Sequence, residues 1–141
     1  FRVREEDEWL NWIDSNELGV YDLTQKIISI NANWFKGSKH EIRLKSQFVA
    51  LEAENPISLI LDKAGYLYNH NSNVRPFTDG ITSFQIRYKY EIVPLSYIYI
   101  VYTKGGRVYD DENERNTSDV FKDPWDNPDN EIFSLKFRLK Y

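Results

Sequence analysis

The sequence predicts an all-β fold, an antiparallel up-and-down meander of about five strands. Apolar and polar residues alternate with a period of two in five separate stretches, while helical periodicity is almost absent. Short and long connections alternate between these stretches, as they do when hairpins are joined in a meander. With 141 residues, the chain is expected to form one all-β segment, residues 1–141.

The first two predicted strands span residues 23–35 and 41–53. Both alternate apolar with polar positions, and Ile27 is the one residue that breaks the pattern in the first strand. The polar positions of the second strand are strongly charged. The segment 36–40 between the two strands is short enough for a hairpin turn.

The remaining predicted strands span residues 81–92, 97–103 and 132–141. The stretch 81–92 alternates without a break, whereas 97–103 is partly apolar on both faces. The connection 93–96 is again of hairpin length. These features predict a second hairpin followed, after a long connection, by a terminal strand.

Long loops are expected at residues 1–22, 54–80 and 104–131, and the last two are rich in Asn, Asp, Pro and Gly. In a meander, the short turns then lie at one end of the sheet and the long loops at the other. Strands of about 10 residues, aromatic residues near strand ends, and this sorting of loops are typical of transmembrane β-barrels. A soluble antiparallel barrel or sandwich, with the apolar face inward, fits the alternation equally well.

Composition excludes several kinds of site. The absence of Cys excludes disulfides, thiolate zinc sites and a Cys nucleophile. The formal net charge of −4 argues against binding of duplex nucleic acid, so no nucleic-acid partner is expected. No apolar run approaches the roughly 20 residues of a membrane-spanning helix. Because the chain contains no Met, we expect a mature protein or a piece of a longer one.

The sequence predicts no enzyme, no cofactor and no metal site. Acidic runs at 5–8 and 110–112 could supply a pair of catalytic carboxylates, but solvated acidic loops are the favoured interpretation. His40 and His70 lack partners at metal-ligand spacing. The segment 123–130 offers oxygen ligands of the kind that Ca²⁺ accepts, and whether it binds Ca²⁺ stays open because such clusters more often form turns.

The tryptophans of the expected loops, Trp9, Trp12 and Trp125, have two interpretations. They could stack on sugar rings, but packing of the loops is favoured because large aromatic side chains bury much surface.

In the barrel interpretation, the apolar face contacts lipid and the charged face lines the lumen, because lipid offers no hydrogen-bond partners to a spanning sheet. A basic lumen beside an acidic segment 110–131 could attract anionic solutes or dock an acidic plug or loop. Ion pairing with acids on further strands is the slightly favoured alternative. The predicted lumen-facing basic residues are Arg43, Lys45, Arg87, Lys89, Lys136, Arg138 and Lys140. The predicted lipid-facing residues are Ile42, Leu44, Phe84, Ile86, Tyr88, Phe133, Leu135, Phe137 and Leu139.

The terminal stretch FSLKFRLKY resembles the closing strand of bacterial outer-membrane proteins, in which a C-terminal aromatic residue is read by the barrel-assembly machinery. The resemblance implies that Phe137 and Tyr141 form an assembly signal. The stretches FRVREEDEWLNW, GVYDLTQKIISINANWFKGSKHEIRLKSQFVAL, FQIRYKYEIVPLSYIYIVYTKGG and NPDNEIFSLKFRLKY also resemble the C-terminal end of a family of Gram-negative outer-membrane proteins. In that family, a periplasmic domain similar to family-nine carbohydrate-binding modules precedes a barrel of unassigned function.

This resemblance implies the C-terminal portion of an outer-membrane β-barrel, because about five strands are too few to close one. The implied role is a membrane anchor, with a passage or docking scaffold as a further role and a link to carbohydrate handling through the preceding module. Because the chain lacks that module, carbohydrate binding itself is not implied. The implied partners are outer-membrane lipid, the remaining strands of the barrel and the barrel-assembly machinery. A soluble β-sandwich acting as a carbohydrate-binding module is the alternative.

Overall fold

The all-β prediction is confirmed. The computed structural model describes residues 1–111 and 117–140, and these form one antiparallel sheet with a single helix among the described residues. The elements are β1 (Arg2–Asp14), β2 (Glu17–Lys36), β3 (His40–Leu61), β4 (Leu67–Asn69), β5 (Phe77–Val93), β6 (Ser96–Asp110), α1 (Thr117–Asp126) and β7 (Asn130–Arg138).

The sheet is a meander, as predicted, but it has seven strands rather than about five. Its order is β1-β2-β3-β5-β6-β7, so strands adjacent in the sheet follow one another along the chain. The short strand β4 lies off this path and pairs with β3. The sheet is not closed, and β1 and β7 are its two edges.

The expectation of long loops was wrong for much of the chain. Residues 1–22 form β1 and the start of β2, joined by a tight turn. The segment 54–80 contains the end of β3, all of β4 and the start of β5, and 104–131 contains the end of β6, α1 and the start of β7. Both faces of these strand ends are partly covered, so the alternation that marks a half-exposed strand is lost there.

The sorting of connections is confirmed only in part, because the tight turn between β1 and β2 lies at the same end as the long connections. The turns between β2 and β3 and between β5 and β6 lie side by side, because the Glu91 amide donates to the Lys39 carbonyl at 2.9 Å. Gly37 adopts a left-handed conformation in the first turn (φ +61°), and Leu95 does so in the second (φ +68°). We call this the turn end of the sheet. The connections carrying β4 and α1 lie at the opposite end, which we call the helix end.

Strand register assigns each residue to one of two faces. One face, here called the apolar face, carries the cross-strand row Trp34, Ile42, Tyr88, Ile100 and Leu135. The opposite, basic face carries the adjacent row Asn33, Arg43, Arg87, Val101 and Ser134.

The apolar character changes face toward the helix end. On the basic face, Tyr21, Leu23, Ala53 and Phe77 form a buried cluster against which Trp9 packs. This cluster lies beyond a row that includes Ile27, the residue that broke the alternation in the first predicted strand. Ile27 therefore marks the level at which the basic face becomes apolar.

Helix α1 covers the apolar face at the helix end. Val120, which is fully buried, packs with Phe48 and Ala50 of β3. Pro124 lies over Gly106 of β6 so closely that a side chain there would meet its backbone. No helix among the described residues is long and apolar enough to cross a membrane.

We predict that Gly106→Ala displaces α1. The added Cβ would lie 2.6 Å from the carbonyl oxygen of Pro124, a backbone atom that cannot rotate away. Overpacking of this kind typically lowers the free energy of unfolding by about 1–3 kcal/mol. Hydrogen exchange of the α1 amides should accelerate.

Gly105→Ala is the matched control. A Cβ at Gly105 comes no closer than 3.2 Å to the Thr82 carbonyl oxygen, so a small local shift accommodates it. Equal protection of α1 in the two variants would contradict the packing described here.

Candidate functional site

The apolar face is uncovered between α1 and the turn end. We call this region the apolar band. Trp34 is 52% exposed, and Leu135 and Phe137 are more than half exposed. A soluble monomer rarely leaves so many large side chains of one contiguous surface in water. The members of the band are Ile30, Ala32, Trp34, Ile42, Leu44, Phe84, Ile86, Tyr88, Tyr90, Ile98, Ile100, Tyr102, Phe133, Leu135 and Phe137.

The apolar band is shorter than the apolar belt of an outer-membrane barrel. From Phe84 to Tyr90, the first and last members of the band on β5, the strand rises about 20 Å at ~3.4 Å per residue. With the ~40° strand tilt of outer-membrane barrels, this length would span about 16 Å of their ~25 Å apolar belt.

Polar groups limit the apolar band at the helix end. The Tyr102 hydroxyl donates to the Glu131 carboxylate, so this ring directs its polar tip away from the band's centre. Lys104 lies over the Trp125 ring with its Nζ 4.8 Å from the centroid. Further along, Lys26 and Glu52 form an ion pair of 2.9 Å. Aromatic rings with polar tips are typical of membrane–water boundaries.

The basic face gathers cations around one shared acid. Glu41, whose side chain is 12% exposed, forms ion pairs with Arg43 and with Lys89, the latter at 3.7 Å. Lys89 also lies 4.4 Å from the centroid of the Tyr97 ring. Glu41 thus holds two of the predicted basic residues on the same patch of the face.

Four other cations of this face have no acidic partner among the described residues. Arg43 lies directly across from Arg87 in the β3–β5 ladder, a like-charge pair that is unfavourable in a sheet. In residues 1–111 and 118–140, no carboxylate forms an ion pair with Arg87, Lys45, Lys136 or Arg138. The basic face therefore has an excess of positive charge.

A groove of about 670 Å³ runs over the basic face. Its polar lining comes from successive strands, including Asn31 of β2, Lys45 of β3, Gln85 of β5 and Thr103 of β6. Because four strands contribute to one groove on this face, we infer that the sheet curves around it. The sheet is thus concave on its basic face and convex on its apolar face.

A second, aromatic groove of about 490 Å³ lies at the helix end. Trp12 and Tyr109 line it and are each 57% exposed, and Tyr21 lies at its base. Burial raises the pKa of the Tyr21 hydroxyl, and the nearby Tyr109 adds to this shift.

The three tryptophans of the expected loops have different surroundings. Trp9 packs against Tyr21 and Phe77, at ring-centroid distances of 6.1 and 6.4 Å. Trp125 packs edge-on against Phe84 at 5.5 Å. Both contacts are the packing that the sequence favours, whereas Trp12 is largely exposed.

The acidic segment 110–131 does not cover the basic face with its helix. Within its described part, α1 lies on the apolar face, and only Asp129 and Asn130 reach the basic groove. The Asp129 carboxylate accepts a hydrogen bond of 2.8 Å from the Arg107 amide. Among the residues that the structure describes, no group of three or more His, Cys, Asp or Glu is arranged to hold a metal ion.

The structure brings the predicted site residues together in two sets. Register places the predicted lumen-facing residues of β3, β5 and β7 on the basic face, and the predicted lipid-facing residues of these strands on the apolar face. Leu139 and Lys140 follow the end of β7, and the Lys140 amide donates to the Ser96 hydroxyl at 3.1 Å. Tyr141 lies outside the described residues.

Sequence reasoning missed two features of the site. One is Glu41, which in the sequence is only one of several charged residues of the second predicted strand, because its sharing by two cations depends on register. The other is α1, although Val120 and Pro124, with Phe121 and Trp125, recur at a spacing of four that is typical of a helix.

Comparisons with known proteins leave the family open. No protein-family model matches the chain, no curated protein is significantly similar to it, and no solved structure matches it at a significant level.

We predict that Glu41→Gln lowers the free energy of unfolding by roughly 1 kcal/mol at low ionic strength, because Arg43 and Lys89 lose their counter-ion. The loss should shrink in high salt, which screens the remaining repulsion. Lys45→Gln is the contrasting variant, since it removes an excess cation and should not destabilise the sheet. Urea unfolding at two salt concentrations checks both, and equal effects of the two substitutions would argue against a surplus of positive charge.

Proposed function

We propose that the chain forms the C-terminal strands of an outer-membrane β-barrel and serves as its membrane anchor. The single observation that carries this proposal is the combination of the uncovered apolar band on the convex face with excess cations on the concave face. A barrel wall needs this arrangement, with apolar side chains toward lipid and polar side chains toward the lumen.

The energetic argument rests on which side chains meet lipid. In the proposed orientation, Ile86 and Tyr88 contact the hydrocarbon, while Arg87 and Lys89 face the lumen. The opposite orientation places both cations in lipid, at about 2–4 kcal/mol each near the midplane. The alternation along β5 therefore supports the proposed orientation of the wall.

A soluble carbohydrate-binding sandwich would place the residues of the apolar band in a different environment. A sandwich buries its apolar face against a second sheet. In the described residues only α1 covers that face, and it leaves the apolar band open. The convex curvature of the band also favours contact with a surrounding solvent such as lipid over packing against a flat second layer.

The open edges fit a role within a larger barrel. All nine residues of β7 are exposed, and a bare edge strand is a site of non-specific pairing in water. In lipid its unpaired backbone groups would be still more costly, so a spanning sheet must close. We propose that β1 and β7 pair with further strands of the same barrel.

The proposed role is non-enzymatic. The excess cations favour anionic solutes or acidic segments within the lumen, which makes a passage or docking scaffold the natural further role. A link to carbohydrate handling rests on the family resemblance alone, through the module that precedes the barrel in that family.

We predict alternating lipid contact along β5. The chain has no Cys, so single Cys residues at positions 86, 87, 88 and 89 can carry a spin label without background. In protein refolded into vesicles, labels at 86 and 88 should collide mainly with oxygen, which partitions into lipid. Labels at 87 and 89 should collide mainly with a water-soluble nickel chelate.

A label at position 12 is the control, because Trp12 is exposed at the helix end and should report water. Uniform access of the nickel chelate to all labels would overturn the barrel proposal and favour a soluble sheet.

We also predict that the terminal strand governs assembly. Replacing Tyr141 by Asp, or deleting residues 137–141, should leave the full-length protein unfolded in the periplasm, because the signal for insertion and the pairing edge are lost. Cell fractionation and heat-modifiable migration measure this. Lys140→Gln, which changes a charge in the same segment but no aromatic residue, should assemble normally. Outer-membrane recovery of the deletion variant would refute the role of this strand.

A further inference from the structure

Helix α1 lies directly against the edge of the apolar band. Phe121 packs edge-on against Phe48 at a centroid distance of 5.0 Å, and Trp125 packs against Phe84, a member of the band. The helix crosses β3, β5 and β6 on the apolar face, with Val120 fixed over β3 and β5. Its position is therefore the rim of the band at the helix end.

The sides of α1 differ in chemistry. Val120 and Pro124 are buried against the sheet. Phe121 and Trp125, one residue further along and also four apart, occupy the side toward the band, as their contacts with Phe48 and Phe84 require.

The aromatic side of α1 is only partly covered by the sheet. Phe121 remains 45% exposed and Trp125 36% exposed, although each packs against the sheet. By helical spacing, Asp119 and Asp123 fall on the side away from the band, and Lys122 and Asp126 project outward. Interfacial helices place apolar and aromatic side chains toward lipid and charged side chains toward water. α1 shares this division into two sides, although its polar side is mainly acidic rather than basic.

We propose that α1 is an interfacial helix outside the barrel wall, with Phe121 and Trp125 inserted at the boundary between lipid headgroups and acyl chains. This inference rests on the proposed function, because it requires lipid around the apolar band. The surface it assigns is the aromatic side of α1, and the partner is the lipid layer itself.

Two further contacts support this placement. Lys104 lies over the Trp125 ring, and Tyr102 directs its hydroxyl to Glu131, so polar groups converge at the level of α1. Indole rings beside cations and acids favour the headgroup level of a bilayer. α1 then determines how deep the sheet lies in the membrane. Between α1 and the turn end, the strands carry apolar side chains on their outer face. On the other side of α1, the same face carries the Lys26–Glu52 ion pair.

Fluorescence of single-tryptophan variants tests the proposal. Three variants of the full protein, refolded into phosphatidylcholine vesicles, each retain one of Trp34, Trp12 or Trp125, with Phe at the other tryptophan positions of this chain. Trp34 lies in the apolar band, and Trp12 is similarly exposed at the helix end but outside the band. Lipids brominated close to the headgroup, or close to the acyl-chain ends, quench tryptophans at the corresponding depth.

The expected result is that bromine close to the headgroup quenches roughly half of the Trp125 emission, as for a side chain ~5–10 Å into the interface, while Trp12 keeps its emission with both lipids. Trp34, which lies in the row of Tyr88 within the apolar band, should be quenched mainly by bromine close to the acyl-chain ends. Quenching of Trp34 without quenching of Trp125 would overturn the interfacial role of α1 and leave the barrel proposal standing. Absence of quenching at Trp34 would overturn the barrel proposal, and the inference on α1 with it.

A second measurement does not depend on multiple substitutions. In the otherwise unchanged protein, Trp125→Phe should reduce the fraction of emission that headgroup-level bromine quenches, and Trp12→Phe should increase it. No change on Trp125→Phe would count against the proposal. Phe121→Ser in the Trp125-only variant should weaken the quenching, because it removes the neighbouring aromatic side chain that inserts with Trp125.

Discussion

The long ladder between β2 and β3 is the constraint on which the rest of the sheet depends. Its register runs without irregularity from Asp22 opposite Glu54 to Lys36 opposite His40. A strand has a side-chain period of two, so a slip of one residue would exchange the apolar and basic faces along its whole length. The turn at Gly37 closes this ladder and permits no such slip, because its left-handed backbone fits one loop length.

This register also determines on which face the side chains of the other strands lie. β3 pairs with β5 without irregularity from His40 to Ala53, so the cations of both strands are brought to the same side. The pairing places Arg43 opposite Arg87, a local cost that the alternation makes unavoidable. Glu41 offsets part of this cost by pairing with cations on its own strand and on β5.

The two ends of the sheet differ in which face carries the apolar side chains. Near the turn end the apolar side chains lie on the convex face, and beyond the row of Ile27 they lie on the other face, around Tyr21 and Phe77. The helix-end part of the sheet therefore resembles a soluble domain, with a small core on each side. α1 supplies the cover for one side, and the close approach at Gly80 and Gly106 allows it to lie flat on the strands.

This change of environment explains what could be predicted from the sequence. The uninterrupted alternation from Phe84 to Ile92 predicts both the strand and the facing of its residues. Where both faces are covered, as around Ala53 or Phe77, the alternation disappears, and the sequence no longer distinguishes a strand from a loop. Ile27 breaks the alternation because, like Leu23, it lies on the face that becomes apolar toward the helix end. Glu41 could not be singled out, since its two ion pairs depend on a neighbouring strand far away in the chain.

The position of α1 also bears on how the excess charge of the basic face is balanced. An acidic segment between β6 and β7 could neutralise the cations only by folding over the concave face. Its helix instead lies on the convex face, with Asp119 and Asp123 away from the band, and Asp129 is engaged by the Arg107 amide. Arg107 itself is held by Asp79 through two hydrogen bonds of 2.7 and 2.6 Å, and this carboxylate raises the pKa of Arg107. Within the described residues the concave face keeps its positive charge, and in the proposed barrel a solute or acids on further strands would balance it.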